Sequence, residues 1–116
     1  MEIIFKKKNN LEKRCSESKN ILNKYPDRIP IIVEKHGDCN LIDIDKSKYL
    51  VPKDMTMGQF IYIIRKRINL DSSQSLFITI DGVLVSSSET VGNIYGIRGD
   101  EDGFLYVIYT SENTFG

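Results

Sequence analysis

Leu11, Cys15, Ser18, Ile21, Leu22 and Tyr25 recur at helical spacing over 10–25, with charges between them, and this predicts an amphipathic helix. Pro26 ends it, because a residue before proline is disfavoured in the helical well. Ahead of it, Ile3, Ile4 and Phe5 suit a short extra turn or an extended segment equally well. Residues 28–35 are rich in β-branched side chains and read as a strand. Pro30 must then sit where the ladder asks no donation from its nitrogen. Residues 37–40 read as a turn, and 46–52 as a second strand stopped by Pro52. The firmest helix is 57–68. Thr56 and Gln59 are spaced as a capping box, and Met55 and Phe60 as a hydrophobic staple across it. Phe60, Ile61, Ile64 and Ile68 form its buried stripe, with Met57 and Ile63 on the flanks. Arg65, Lys66 and Arg67 fall in the last turn, where cations favour the negative helix end. Residues 76–80 read as a strand, Asp81-Gly82 as a tight hairpin turn, and 83–85 as its return. Val91, Ile94 and Tyr95 mark a short helix ending near Gly96, and 104–109 is a strongly apolar last strand.

The order is helix, strand, strand, helix, strand, strand, short helix, strand. It predicts an α+β fold of the ubiquitin-like β-grasp type, a mixed four-stranded sheet with a crossing helix and an N-terminal helical extension. In such a sheet the first and last strands run parallel in the middle, and the second lies at an edge. The expected divisions are a helical extension over 1–27, a core over 28–110 and a flexible tail over 111–116.

The chain has 116 residues, which suits one domain. Apolar residues make up 41% and charged residues 28%, an ordinary soluble composition. No apolar run approaches the ~20 residues of a membrane span, and the N-terminus has no signal-peptide core. Cys15 and Cys39 stand in no metal or redox spacing, so a free-thiol intracellular protein is expected. The zero net charge hides an asymmetry. Lys6, Lys7, Lys8, Lys13, Arg14, Lys19, Lys24 and Arg28 outnumber Glu2, Glu12, Glu17 and Asp27 over the first 28 residues, leaving the remainder acidic. A basic first quarter suits acidic partners or an anionic surface, and it equally suits an ordinary solvated helix face. His36 has no paired nucleophile and reads as a surface residue. Arg98-Gly99-Asp100 reads as a coincidental tripeptide. No metal cluster or phosphate loop is present, so no cofactor and no nucleic-acid partner is expected, and an enzyme is the least favoured class.

A polar tail follows the last strand and ends on Gly116. Glycine has no side chain, so it passes a narrow enzyme channel and offers an unhindered carboxylate to a nucleophile. A chain ends on glycine by chance as well, so the tail alone does not decide.

Specific runs do. Phe5-Lys6, Leu11-Glu12-Lys13-Arg14, residues 24–35, residues 45–52, Met57-Gly58-Gln59-Phe60, residues 64–68, Asp102-Gly103-Phe104-Leu105-Tyr106 and residues 112–116 together resemble the autophagy ubiquitin-like modifiers, the family of GABARAP and microtubule-associated-protein light chain 3. The resemblance covers essentially the whole chain. It implies a cytoplasmic modifier whose terminal glycine, matched by Gly116, is activated by the activating and conjugating enzymes of the autophagy cascade. That glycine is then joined to phosphatidylethanolamine, placing the protein peripherally on autophagosome-type membranes. Phe115 matches the aromatic residue in the segment read by the family's processing cysteine protease. Many relatives continue past the glycine; here the expected form is mature or naturally exposed. Asp81-Gly82 and residues 85–87 depart from the family's usual prolines and asparagines, and loop 36–40 is less basic, which touches partner preference more than fold.

The resemblance also implies a docking surface on the second strand for receptor motifs with an aromatic residue and an aliphatic one three positions later. The aromatic pocket would comprise Glu17, Ile21, Pro30, Ile32, Lys48, Leu50 and Phe104, and the aliphatic pocket Tyr49, Val51, Pro52, Met55, Phe60 and Ile63. Residues i and i+3 of a strand point to opposite faces, so the peptide must reach both. Arg28, Lys46 and Lys48 would meet acidic flanks. Burying two apolar side chains at roughly 1.5–3 kcal/mol each, less the cost of ordering the peptide, gives an affinity near micromolar. The basic N-terminal segment would meet an anionic leaflet or the acidic tails of tubulin. Two other readings stay open: a binding module that never uses its tail, and a modifier attached to protein.

Overall fold

The computed structural model describes residues 1–111; the expectations placed on Phe115 and Gly116 lie outside the described residues. The elements are α1 (Ile4–Lys8), α2 (Leu11–Lys24), β1 (Arg28–Lys35), β2 (Lys48–Pro52), α3 (Met57–Arg67), β3 (Phe77–Ile80), β4 (Val83–Leu84), α4 (Val91–Arg98) and β5 (Leu105–Thr110). Ile3–Phe5, undecided in the sequence, enters a helical turn. Its first amides have an unusual acceptor: the β1 carboxylate of Glu34 accepts from Ile4 N–H at 2.8 Å and Phe5 N–H at 2.9 Å. Asn10 caps α2 by accepting from Lys13 N–H.

The sheet order is β2-β1-β5-β3-β4. β1 and β5 run parallel in the middle, and β2 lies at one edge, antiparallel to β1, as expected. The sheet has five strands where four were expected. Val83–Leu84 is only two residues long, yet it pairs with Thr79 and Ile80 across the Asp81-Gly82 turn. Both turn residues take positive φ, at 54° and 74°, as that tight hairpin requires.

α3 packs on one face of the sheet, here the back, over the larger apolar cluster, which includes Ile31, Val33, Phe60, Ile64, Leu105 and Val107. The capping box at Thr56 and Gln59 is formed in both directions. Met57, expected on a flank, is fully buried instead. The 86–90 loop closes over the start of α3, with Met57 N–H donating to Glu89 C=O and Gly58 N–H to Ser87 C=O. Ile61, expected in the stripe, is half-buried. α1 and α2 lie against the other, front face, over a smaller cluster of Phe5, Ile32, Phe104 and Tyr106. α4 runs two residues past the predicted end near Gly96 and is capped by Gly99, whose N–H donates to Tyr95 C=O. Among the described residues, no helix is long and apolar enough to cross a membrane.

Candidate functional site

β2 alternates because its two sides face different neighbours. Tyr49 and Val51 turn into the back core, while Leu50 is half-buried on the front and Lys48 and Pro52 are exposed. Its backbone is set by register. Val33 N–H donates to Ser47 C=O at 2.7 Å, and Lys53 N–H to Asp27 C=O at 3.1 Å. Hydrogen-bonded pairs alternate along an antiparallel ladder, so with the observed register they fall at Ile31–Tyr49 and Ile29–Val51. The N–H and C=O groups of Lys48 and Leu50 therefore point away from β1, to the open edge. Pro30 opposes Leu50 in a non-hydrogen-bonded pair, and the β1–β5 ladder starts at Ile31, so no ladder bond is lost at its nitrogen.

The residues named for the aromatic pocket gather on the front. Pro30 and Ile32 face Leu50 and Lys48 across the ladder, and Ile21 of α2 packs against the cluster that holds Ile32 and Phe104. Ile32 and Phe104 are buried, so they form a floor. The rim is polar: Lys48 Nζ lies 2.8 Å from Glu17 Oε2, joining β2 to α2 across the opening. The sequence reading omitted one wall. The Phe5 ring meets Phe104 edge-on with centroids 5.3 Å apart, and Lys48 Nζ stands 5.1 Å from its centroid. Nothing in local periodicity marks Phe5 as a pocket wall, since its place depends on Glu34 holding the start of α1.

The residues named for the aliphatic pocket gather on the back. Tyr49, Val51 and Phe60 are core, Met55 and Ile63 are partly buried against it, and Pro52 is exposed. Tyr49 and Phe60 stack edge-on at 5.5 Å. Burial pushes the Tyr49 phenol up from its ordinary value, and its hydroxyl has no partner among the described residues. Beside it, Arg67 holds Asp45 at 2.8 Å, and this bond keeps the Asp45 carboxyl below its usual range. Of the flank cations, Arg28 donates from Nη1 to Leu50 C=O at 3.4 Å, and Lys46 Nζ stands 5.0 Å from the Tyr49 ring.

The basic N-terminal segment is less free than its composition implied. Lys6 is paired to Asp100 at 2.6 Å, and Lys7 to Glu2 at 2.9 Å, whereas Lys8 has no ion pair among the described residues. His36 is half-buried, with Nδ1 accepting from Asp38 N–H at 3.3 Å. It helps line a cavity of about 390 Å³ on the front of the sheet that shares no residue with either proposed pocket. Among the described residues no group of three metal-ligating side chains is assembled.

Comparison with known proteins places this arrangement in a family. The model of the autophagy protein Atg8 ubiquitin-like family matches residues 13–116. Autophagy-related protein 8e of Arabidopsis thaliana is 53% identical over 113 residues, covering 97% of this chain and 93% of that protein. Autophagy-related protein 8 of Mycosarcoma maydis is 51% identical over 116 residues, covering 100% and 98%. The crystal structure of Trypanosoma brucei ATG8 superposes with a TM-score of 0.92 at 38% identity, covering all of both chains. The chain belongs to the Atg8 family of ubiquitin-like autophagy proteins.

Proposed function

We propose that this protein is a ubiquitin-like modifier joined through Gly116 to phosphatidylethanolamine, and that it recruits receptors to autophagosome-type membranes through the β2 edge. In this reading it is the substrate of activating and conjugating enzymes and performs no catalysis itself. Gly116 is the last position the family model matches. The observation that carries the docking half is the edge geometry. The outward backbone groups of Lys48 and Leu50 lie between an apolar front pocket and an apolar back face. A receptor segment adds as a strand to those groups, since an exposed edge is a template for pairing. Its aromatic side chain enters on the front over Ile32 and Phe104, and its aliphatic one reaches the back near Met55 and Ile63. Entry on the front parts Lys48 from Glu17. That pair is exposed and contributes at most about 1 kcal/mol, so it acts as a weak gate. Arg28 and Lys46 aid encounter with acidic flanks more than they add affinity.

The test of conjugation incubates the protein with activating and conjugating enzymes, ATP and phosphatidylethanolamine liposomes. The reading predicts a mobility shift that survives reductant and disappears in Gly116→Ala. An adduct on protein with none on lipid would replace it with a protein modifier; no adduct at all would leave only a peptide-binding module.

A further inference from the structure

The front pocket is bounded by a seam that the docking reading does not use. Asp102, just before β5, has a side chain that is 0% exposed and engages three residues at once. Its Oδ1 accepts from Phe104 N–H at 2.9 Å. Its Oδ2 accepts from Arg14 Nη1 of α2 at 2.6 Å and from the Tyr106 hydroxyl at 2.5 Å. One turn along α2, Ser18 Oγ donates to the Asp102 C=O at 2.5 Å. Ser18 is buried against Gly103, where an added Cβ would overlap the Ser18 hydroxyl, and Gly103 holds a positive φ of 91°. α2 therefore approaches the start of β5 as closely as a glycine permits.

One wall of the aromatic pocket and part of its floor hang on this seam. Glu17 and Ile21 flank Ser18 on α2, and Phe104 follows Gly103 by one residue. The separation of α2 from β5 fixes the width between Ile21 and Phe104. We propose that the Arg14–Ser18–Asp102–Gly103 seam is the positioning device that sets the size selectivity of the aromatic pocket: it holds α2 at the spacing that ranks one aromatic side chain above another. None of the four residues needs to touch the ligand. Loosening the seam should blunt the preference among aromatic residues and leave the aliphatic half of the site alone, because that half is built on α3 and the other face of the sheet.

The proposal rests on the docking reading above, and the experiment separates the two. Binding to the whole protein is measured by calorimetry for four synthetic peptides that differ only at the aromatic position, which holds Trp, Tyr, Phe or Ala. If the unmodified protein binds none of them, the docking reading falls. If it binds and prefers an aromatic residue, Ser18→Ala and Asp102→Asn are compared with it. The expected result is a loss of about tenfold for the best aromatic peptide in Asp102→Asn and about threefold in Ser18→Ala, as for one or two lost hydrogen bonds. The Ala peptide should keep its affinity in both variants, and the affinities of the Trp, Tyr and Phe peptides should draw closer together. A uniform loss across all four peptides, or an unchanged spread among the three aromatic peptides in a folded Ser18→Ala protein, overturns the proposal. Should Asp102→Asn fail to fold, Tyr106→Phe, which removes one bond to the same carboxylate, takes its place with the same criterion.

Discussion

The two faces of the sheet meet β2 from opposite sides and are held by different forces. On the back, α3 lies over a continuous apolar cluster, and its end is satisfied locally by the Thr56–Gln59 capping box. On the front, α1 and α2 cover a cluster of four buried residues, and polar bonds fasten them: Glu34 to the start of α1, Lys6 to Asp100, Arg14 and Ser18 to Asp102. An apolar core is non-directional and scales with buried area. Buried polar bonds add little net stability when made but specify one geometry, and they are costly when half-broken. The back thus supplies stability, while the front supplies a defined spacing. A receptor strand at the β2 edge would draw on both.

The largest test of that contrast is on the back. Phe60 of α3 is fully buried and meets the Tyr49 ring of β2 edge-on. Phe60→Ala should cost roughly 3–5 kcal/mol by denaturant unfolding, since a large buried aromatic leaves a cavity that the surroundings fill only partly. A loss under about 1 kcal/mol would show that the core is looser than its burial implies. Next comes the front. Arg14 is 11% exposed and its partner Asp102 fully buried, so Arg14→Met leaves a carboxylate without its cation. The expected cost is about 3 kcal/mol, nearly all of it a penalty for the orphaned charge. Replacing both partners, as Arg14→Met with Asp102→Leu, should recover a good part of it. Failure of the double variant to recover any would mean that the Phe104 and Tyr106 bonds to Asp102 outweigh the ion pair.

The contrast also explains what could be read from the sequence. Periodicity and capping are local, so α2, α3 and the hairpin turn were legible; the edge position of β2 followed from the fold type that the element order predicts, and Pro30 forecast its own non-hydrogen-bonded place. The residues named for the two proposed pockets came from family resemblance alone. The front seam was not legible. Asp102 and Gly103 entered only as part of a run that resembles the family, and Arg14 meets Asp102 across 88 positions. A long-range polar pair leaves no period and no spacing to detect. Phe5 was missed for the same reason, since Glu34, 29 residues on, decides where it goes. Met57 was misplaced because a loop from 86–90 covers it, which helix periodicity cannot show.

On β2 itself the two faces separate at neighbouring residues. Leu50 is half-buried at the pocket rim and Tyr49 is core. Leu50→Ala should change stability by about 1 kcal/mol or less while weakening an aromatic peptide roughly tenfold. Tyr49→Ala would confound binding with unfolding, so Tyr49→Phe is the cleaner partner. It removes a buried hydroxyl that has no partner among the described residues and should leave stability unchanged or raise it by up to ~1 kcal/mol. A clear loss in Tyr49→Phe would show that the hydroxyl is satisfied in solution. Equal binding losses in Leu50→Ala and Tyr49→Phe would erase the distinction between the faces.

The smallest effect concerns how α1 is fastened. Burial pushes the Asp100 carboxyl up, but the bonds from Lys6 Nζ and Asp102 N–H, with the Lys6 charge, outweigh it and hold the group below its ordinary value. A carboxyl depressed in the folded state stabilises that state at any pH above the ordinary carboxylate range and loses the contribution as pH falls through its folded value. Acidification below about pH 4 should therefore release Lys6 before the core unfolds. Lys6 Nζ also stands 4.8 Å from the Tyr106 ring, so its release frees one side of α1. The expected observation is a rise in amide exchange confined to residues 4–8 as pH drops from about 5 to 3, after correction for intrinsic exchange. In Lys6→Met the same amides should exchange faster already at neutral pH and show a smaller change on acidification. If instead α3 amides open together with α1, the front is not independent of the back, and the division of labour between the two faces fails.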